Sequence, residues 1–171
     1  QMHQFPYASV SPIQIPNNIW WELEHRLLLV YIGNPHSSSE IHKKVIAELG
    51  TNAYRDNRIE TLRQLARQAK DALYAGNLKK LGELFNENTT VQRALHKDLI
   101  CRKFEEIISI AKKFNALGCK VNGAGGDGGS IAILTNGEMA QKRALHQALI
   151  DKGYQSLQIY LSRQGLRVWW L

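Results

Sequence analysis

Five glycines in seven positions, Gly123-Ala124-Gly125-Gly126-Asp127-Gly128-Gly129, are the residues of this chain with the plainest chemical potential. Glycine admits backbone conformations closed to other residues and lets a ligand reach backbone N–H groups with no Cβ in the way. Concave runs of such amides bind phosphate oxygens. The bland alternative is a glycine-rich hairpin where two strands, or a strand and a neighbouring domain, pack closely. Ordering this many glycines costs more backbone entropy than a plain turn requires, which favours the ligand reading.

Context narrows the chemistry. Gly123-x-Gly125-x-x-Gly128 matches the dinucleotide fingerprint literally, but that fingerprint needs a helix directly after the loop. Here a strand follows, Ser130-Ile131-Ala132-Ile133-Leu134. A protein-kinase loop does lie between two strands, yet Leu134 stands where its lysine is needed, and no His-Arg-Asp or Asp-Phe-Gly sequence occurs. The Gly-Lys-Ser/Thr of a Walker loop is also absent.

The elements that must hold this loop follow from periodicity. Tyr7 to Pro16 reads as an edge strand or connector, and Ile19 to Leu23 as a helical turn. Arg26 to Ile32 is a continuous apolar run closed by Gly33-Asn34-Pro35, a buried strand. Ser37 and Glu40 have capping-box spacing and predict a helix from Ser38 to Leu49. Helical spacing predicts a helix over 58–75, closed by Gly76-Asn77, two short helices over 78–85 and 88–95, and a longer one over 100–117 with Gly118 at its end. Strands are expected at 119–122, 130–134, 157–161 and 166–171, with a helix over 138–152 before Gly153. From Arg26 the order is β-α-β-β-α-β with extra helices in the first crossover. The fold class expected is therefore α+β, a ferredoxin-like split βαβ sheet.

With the loop placed between two strands, Lys120-Val121-Asn122-Gly123-Ala124-Gly125-Gly126-Asp127-Gly128-Gly129-Ser130 resembles the third motif of the GHMP small-molecule kinases, with Asp127 in place of one glycine. The upstream residues Asn86-Glu87-Asn88, Gln92 and Leu95-His96 resemble the helical segment before that motif. Arg26 to Gly33 with Ser37-Ser38-Ser39 is similar to the opening of the family's C-terminal domain. The likeness runs from about Tyr7 to Leu161, and the branch most resembled is the sugar and heptose-phosphate kinases. It implies a domain over 26–171, preceded at 1–25 by a residual strand or linker from an N-terminal domain that this sequence does not contain. It also implies ATP and Mg²⁺ as cofactors, a sugar or sugar phosphate as acceptor, and no activity from this part alone. The family's Pro-x-x-x-Gly-Leu-Gly-Ser-Ser loop and its catalytic residue are absent, so no catalytic residue is assigned here. Gly123, Ala124, Gly125, Gly126, Asp127, Gly128 and Gly129 would line the phosphates, with Asp127 facing away unless a cation intervenes. A non-enzymatic ligand-binding or regulatory domain is the alternative.

Other candidates are weaker. Ser37, Ser38 and Ser39 stand at a helix start, where amides favour anions, but simple capping explains them as well. Lys120 is a candidate phosphate contact at a strand end. His36, His42 and His96 lack metal-ligand spacing, so no metal site is expected. Trp169-Trp170 suggests one ring in the core and the other at an interface. Cys101 and Cys119, without a secretory leader, read as free thiols of a cytoplasmic protein. The net charge of +7 is scattered over helix faces, not gathered in a nucleic-acid stripe, and RRM aromatic sequences are missing. No apolar run is long enough for a membrane helix.

Overall fold

The computed structural model describes residues 10, 12–33, 38–50, 55–157, 159–164 and 168–169. In chain order they form α1 (Asn17–Arg26), β1 (Leu27–Tyr31), α2 (Ser38–Leu49), α3 (Asn57–Tyr74), α4 (Leu78–Leu95), a 3₁₀ turn (Lys97–Leu99), α5 (Arg102–Lys113), β2 (Gly118–Val121), β3 (Ser130–Leu134), α6 (Met139–Asp151) and β4 (Gln155–Leu157). The strands lie in the order β2-β3-β1-β4 and every neighbouring pair is antiparallel. That is the arrangement a split βαβ must adopt, so the expected fold class stands, with α2, α3 and α4 inserted before α5.

Strand alternation divides the sheet into two faces. Leu28, Val30, Cys119, Val121, Ile131 and Ile133 face one way and join a core with Phe104, Ile107, Ile108 and Ala111 of α5 and Leu145 and Leu149 of α6. The α5 positions recur at i, i+3, i+4 and i+7, which is why this helix lies flat on the sheet. Phe104 is wholly buried, and burial of such a ring contributes roughly 1.5–3 kcal/mol. On the other face Leu27 and Leu134 pack with Leu23 of α1, Leu65 and Ala72 of α3, and Leu78, Leu81 and Leu84 of α4. The remainder of that face, Leu29, Tyr31, Lys120 and Ala132, is half-buried.

Several expectations need correction. Residues 78–95 form one helix, not two. Its polar run Asn86 to Thr90 breaks the apolar period because this stretch faces a strand edge rather than a core. Asn86 Oδ1 accepts from the Cys119 N–H at 3.0 Å and its Nδ2 donates to Leu117 O at 3.1 Å, while Thr89 Oγ1 donates to Cys119 O at 2.8 Å. The free edge of β2 is thus satisfied by α4 side chains.

Gly118 does not end α5. Asn115, at φ 55°, takes the left-handed position, with Ala116 N–H bonded to Ala111 O and Asn115 N–H to Lys112 O. Gly118 instead opens β2 because α4 crosses it there. A Cβ on Gly118 would stand 1.9 Å from the Gly82 carbonyl oxygen, and one on Gly82 would stand 2.5 Å from Leu117 Cβ.

The strand expected at 157–161 lies at 155–157, because beyond Leu157 the chain leaves the edge of β1. Glu24 of α1 then holds the Leu161 N–H at 2.7 Å through its carboxylate. Val168 and Trp169 lie outside any strand, and Trp169 is 73% exposed. Trp170 and the rest of the strand expected at 166–171 fall outside the described residues. Toward the other terminus Val10 and residues 12–16 follow the connector alternative and not the edge strand, and Asn17–Arg26 is a full helix rather than a turn. Among the described residues no helix is long and apolar enough to cross a membrane.

Candidate functional site

The glycine loop joins β2 to β3, and its ladder continues one step past the strands through Asn122 N–H to Ser130 O at 2.9 Å. Asn122 Nδ2 adds a bond to Ser130 Oγ at 3.2 Å. Gly123, Gly125, Gly126 and Gly129 have φ of 62°, 62°, 84° and 88°, the left-handed region that a Cβ makes costly. The loop is clamped on both flanks. Gly126 N–H donates to Leu99 O at 3.0 Å, and Gly129 O accepts from Ile32 N–H at 3.1 Å.

Two kinds of glycine share the motif. A Cβ on Gly125 would meet Leu99 O at 2.0 Å, a backbone atom that cannot step aside, so Gly125 is fixed by packing. A Cβ on exposed Gly123 would meet nothing within 4 Å. The Gly126 N–H is spent on Leu99 O. Gly125 and Gly128 close turns within the loop, and the N–H groups of Gly123 and Ala124 have no hydrogen-bond acceptor among the described residues. Successive unspent amides flanked by left-handed glycines form the kind of concavity that holds an anion.

The supports of the loop carry charge. Lys44 of α2 donates to Asp98 Oδ2 at 2.8 Å, bracing the 3₁₀ turn whose Leu99 carbonyl holds Gly126. That bond holds the Asp98 carboxyl below its ordinary value and raises the Lys44 ammonium above its own. Asp127 is exposed and also acts electrostatically on Lys44, so the cation that would offset this carboxylate is present. Lys103, in the first turn of α5, donates to Ile32 O at 3.3 Å, beside the second clamp. His96 Nδ1 accepts from the Asp98 N–H at 3.1 Å, which leaves the proton of a neutral ring on Nε2. Among the described residues no group of three His, Cys, Asp or Glu side chains could hold a metal ion.

A second wall comes from α4. Gln92 Nε2 reaches Gly123 O at 3.5 Å, while Gln92 Oε1 and, one turn back, Asn88 Oδ1 are buried acceptors with no hydrogen-bond partner. A buried orphan acceptor costs about 1–3 kcal/mol until a donor arrives. Lys120 lies at the base of the loop but folds back, its Nζ donating to Val121 O at 3.2 Å, and burial lowers its pKa. Ser38 opens α2 and Ser39 is exposed in its first turn. Ser37 and the side chain of Ser38 fall outside the described residues. Lys44, Asp98, Lys103 and Leu99 were missed in the sequence because their relation to the loop is purely tertiary; Gln92 was noted only as part of a resemblance. Both cysteines are free, and burial pushes the Cys119 thiol up to about 12.

With this geometry in hand, comparisons with known proteins agree with one another. Residues 69–155, running from α3 through the glycine loop to the start of β4, match the family model described as GHMP kinases C terminal. Mevalonate kinase of Pyrococcus furiosus is 28% identical over 115 residues, covering 64% of this chain and 33% of that protein. The L. major mevalonate kinase solved with R-mevalonate superposes with a TM-score of 0.64 at 26% identity, over 77% of this chain and 42% of that one. The D-glycero-D-manno-heptose 1-phosphate kinase of Bacteriodes thetaiotaomicron shares the fold with a TM-score of 0.51 at 19% identity, over 88% of this chain and 37% of that one. The chain therefore spans about a third of the length of that Pyrococcus furiosus mevalonate kinase. On its family model, its split βαβ sheet and its solved neighbours, this chain belongs to the C-terminal domain family of the GHMP kinases.

Proposed function

We propose that this chain supplies one wall of the phosphoryl-transfer site of an ATP-dependent kinase that phosphorylates a hydroxyl of a sugar or sugar phosphate. The observation that carries the reading is the glycine loop, held rigid by Leu99 and Ile32 while the N–H groups of Gly123 and Ala124 have no acceptor among the described residues. Phosphoryl transfer is mainly positioning and electrostatic stabilisation, and fixed amides supply both without reorganising during the reaction. The residues present fit a nucleotide phosphate, because the open side of Gly123 admits close approach of an anion to the loop backbone; the orphan acceptors of Asn88 and Gln92 would take a hydroxyl or amino donor rather than the phosphate itself. ATP with Mg²⁺ supplies the γ-phosphoryl group and neutralises charge on it when bound. The ligands for that ion lie outside this chain's described residues in our reading, and so does the loop that wraps the nucleotide.

A second acceptor is favoured by a specific observation. Two relatives above 25% identity, from Pyrococcus furiosus and L. major, are mevalonate kinases, which makes a branched hydroxy acid the rival substrate class. The test uses the protein encoded by the whole natural reading frame, assayed for ADP release with ATP, Mg²⁺ and a panel of sugars, heptose phosphates and R-mevalonate. Turnover with sugars or sugar phosphates is expected, and turnover with R-mevalonate alone replaces the acceptor class. No ATP-dependent phosphorylation of any hydroxyl compound, with the fold intact by circular dichroism, overturns the reading. The 171-residue chain by itself is expected to turn over no ATP.

A further inference from the structure

At the end of the sheet away from the glycine loop lies a groove of about 670 Å³. Its floor is the start of β1, whose other end, Tyr31, pairs with Ser130 beside the loop, so a strand length separates the two features. That volume falls within the range of small-ligand sites. Four elements contribute walls: the end of α1, one face of α6, β4 and the segment that follows it.

The lining is divided by chemistry. On α6 the adjacent Lys142 and Arg143 give one wall a positive charge, and His146 stands one turn further on. His146 Nδ1 is 2.9 Å from Ser156 Oγ across the groove, which fixes the ring. Arg143 is exposed and makes no hydrogen bond or ion pair among the described residues. The Lys142 ammonium donates to the His25 carbonyl, a neutral acceptor that leaves its charge unbalanced. Burial lowers the Lys142 pKa, as expected for a cation short of a counter-charge. Glu24 is the one acid in the lining, and its carboxylate is engaged by the Leu161 N–H. The opposite wall is apolar, from Leu27, Leu157 and Ile159, with Met139 at the mouth. Met139 and Leu157 remain large exposed apolar side chains in a concave surface.

We infer that this groove is a second binding site, separate from the glycine loop, for a small amphiphilic anion: a phosphate or carboxylate head on Lys142, Arg143 and His146, and a short apolar body along Leu27, Leu157 and Met139. Neither half of the lining explains the other. A cationic wall alone would stay hydrated, and an apolar wall alone would be covered by its own chain. Together they match a ligand with one charged and one apolar end, and bidentate contact from an unpaired arginine favours a planar or tetrahedral oxyanion.

The test titrates the protein with hexyl phosphate, hexanoate, hexanol and inorganic phosphate, followed by NMR of methyl and amide groups. Saturable shifts of Met139 and Leu157 are expected with hexyl phosphate and hexanoate, and the tighter of the two identifies the head group. Hexanol and inorganic phosphate should bind at least about tenfold more weakly, because each lacks one half of the ligand. Arg143→Glu, at an exposed position that the fold does not use, should weaken hexyl phosphate about tenfold or more. Lys97→Glu, an equal charge change at the loop end, should leave it within about twofold. Shifts confined to Gly123–Gly129, hexanol binding as tightly as hexyl phosphate, or an Arg143→Glu variant with unchanged affinity would each overturn the inference.

Discussion

The two edges of the sheet are finished in opposite ways. At β2 the backbone itself is the contact: Gly82 and Gly118 let α4 lie directly on the strand, and Asn86 and Thr89 fill the hydrogen bonds that the edge leaves open. At β4 the strand is three residues long, the chain then departs toward α1, and side chains of α6 meet Ser156 across a groove. One edge is sealed by glycine contacts and the polar side chains of α4, and the other is left accessible. The sealed edge leads straight into the glycine loop, so the loop inherits rigidity from the helix packed beside it.

Substitutions at the sealed edge should break this comparison most forcefully. Gly118→Ala puts a methyl group inside the Gly82 carbonyl, and a stability loss of about 3 kcal/mol is expected in urea unfolding, since neither backbone can move without dislodging a strand or a helix. Gly125→Ala follows, at about 2–3 kcal/mol, from the contact with Leu99 O added to its left-handed φ. Gly123→Ala has the φ penalty without the contact and should cost only about 1 kcal/mol. If Gly123 faces phosphate, that milder variant of the whole protein should still lose kcat out of proportion to its stability. A kcat that merely tracks stability across both variants would erase the distinction between packing and ligand-facing glycines.

The open edge should respond weakly. Ser156→Ala removes the bond to His146 at a half-buried site and is expected to shift stability by less than about 1 kcal/mol in the same assay. Acid should act on the loop end first. The Asp98 carboxyl lies below its ordinary value because Lys44 donates to it, so the stability it adds is present above the unfolded value of 3.8 and fades as pH falls through the folded one. The Asp56 carboxylate, lowered to about 2 by the hydrogen bond from Arg58, behaves alike at the start of α3. Thermal unfolding followed from pH 5 to pH 2 should show a decline that is shallower in Asp98→Asn, and loop amide shifts should move before those of α6.

Much of this was legible in the sequence where local rules suffice. The helix closed by Gly76-Asn77, the apolar face of α5 and the β-α-β-β-α-β order were read from spacing alone. Reading failed where a residue type served a distant partner. Spacing divides α4 at Asn86-Glu87, where the apolar period lapses; here Asn86 and Thr89 serve the edge of β2. Gly118 looked like a helix stop because glycine commonly is one, whereas Asn115 does that work and Gly118 answers to a helix some 36 residues earlier. The loop was legible as a motif, but not the division of labour within it, since only the position of Leu99 separates Gly125 from Gly123.

Cys119 sits on the sealed strand with its thiol under α5, its carbonyl held by Thr89 and its amide by Asn86. With the thiol pushed up to about 12 it should be blind to alkylating reagents in the native state. That makes it a built-in clock. The rate at which Cys119 becomes modifiable measures how often the sheet lets go of the helices that cover its β2 edge, while half-exposed Cys101 serves as the reference on the same molecule.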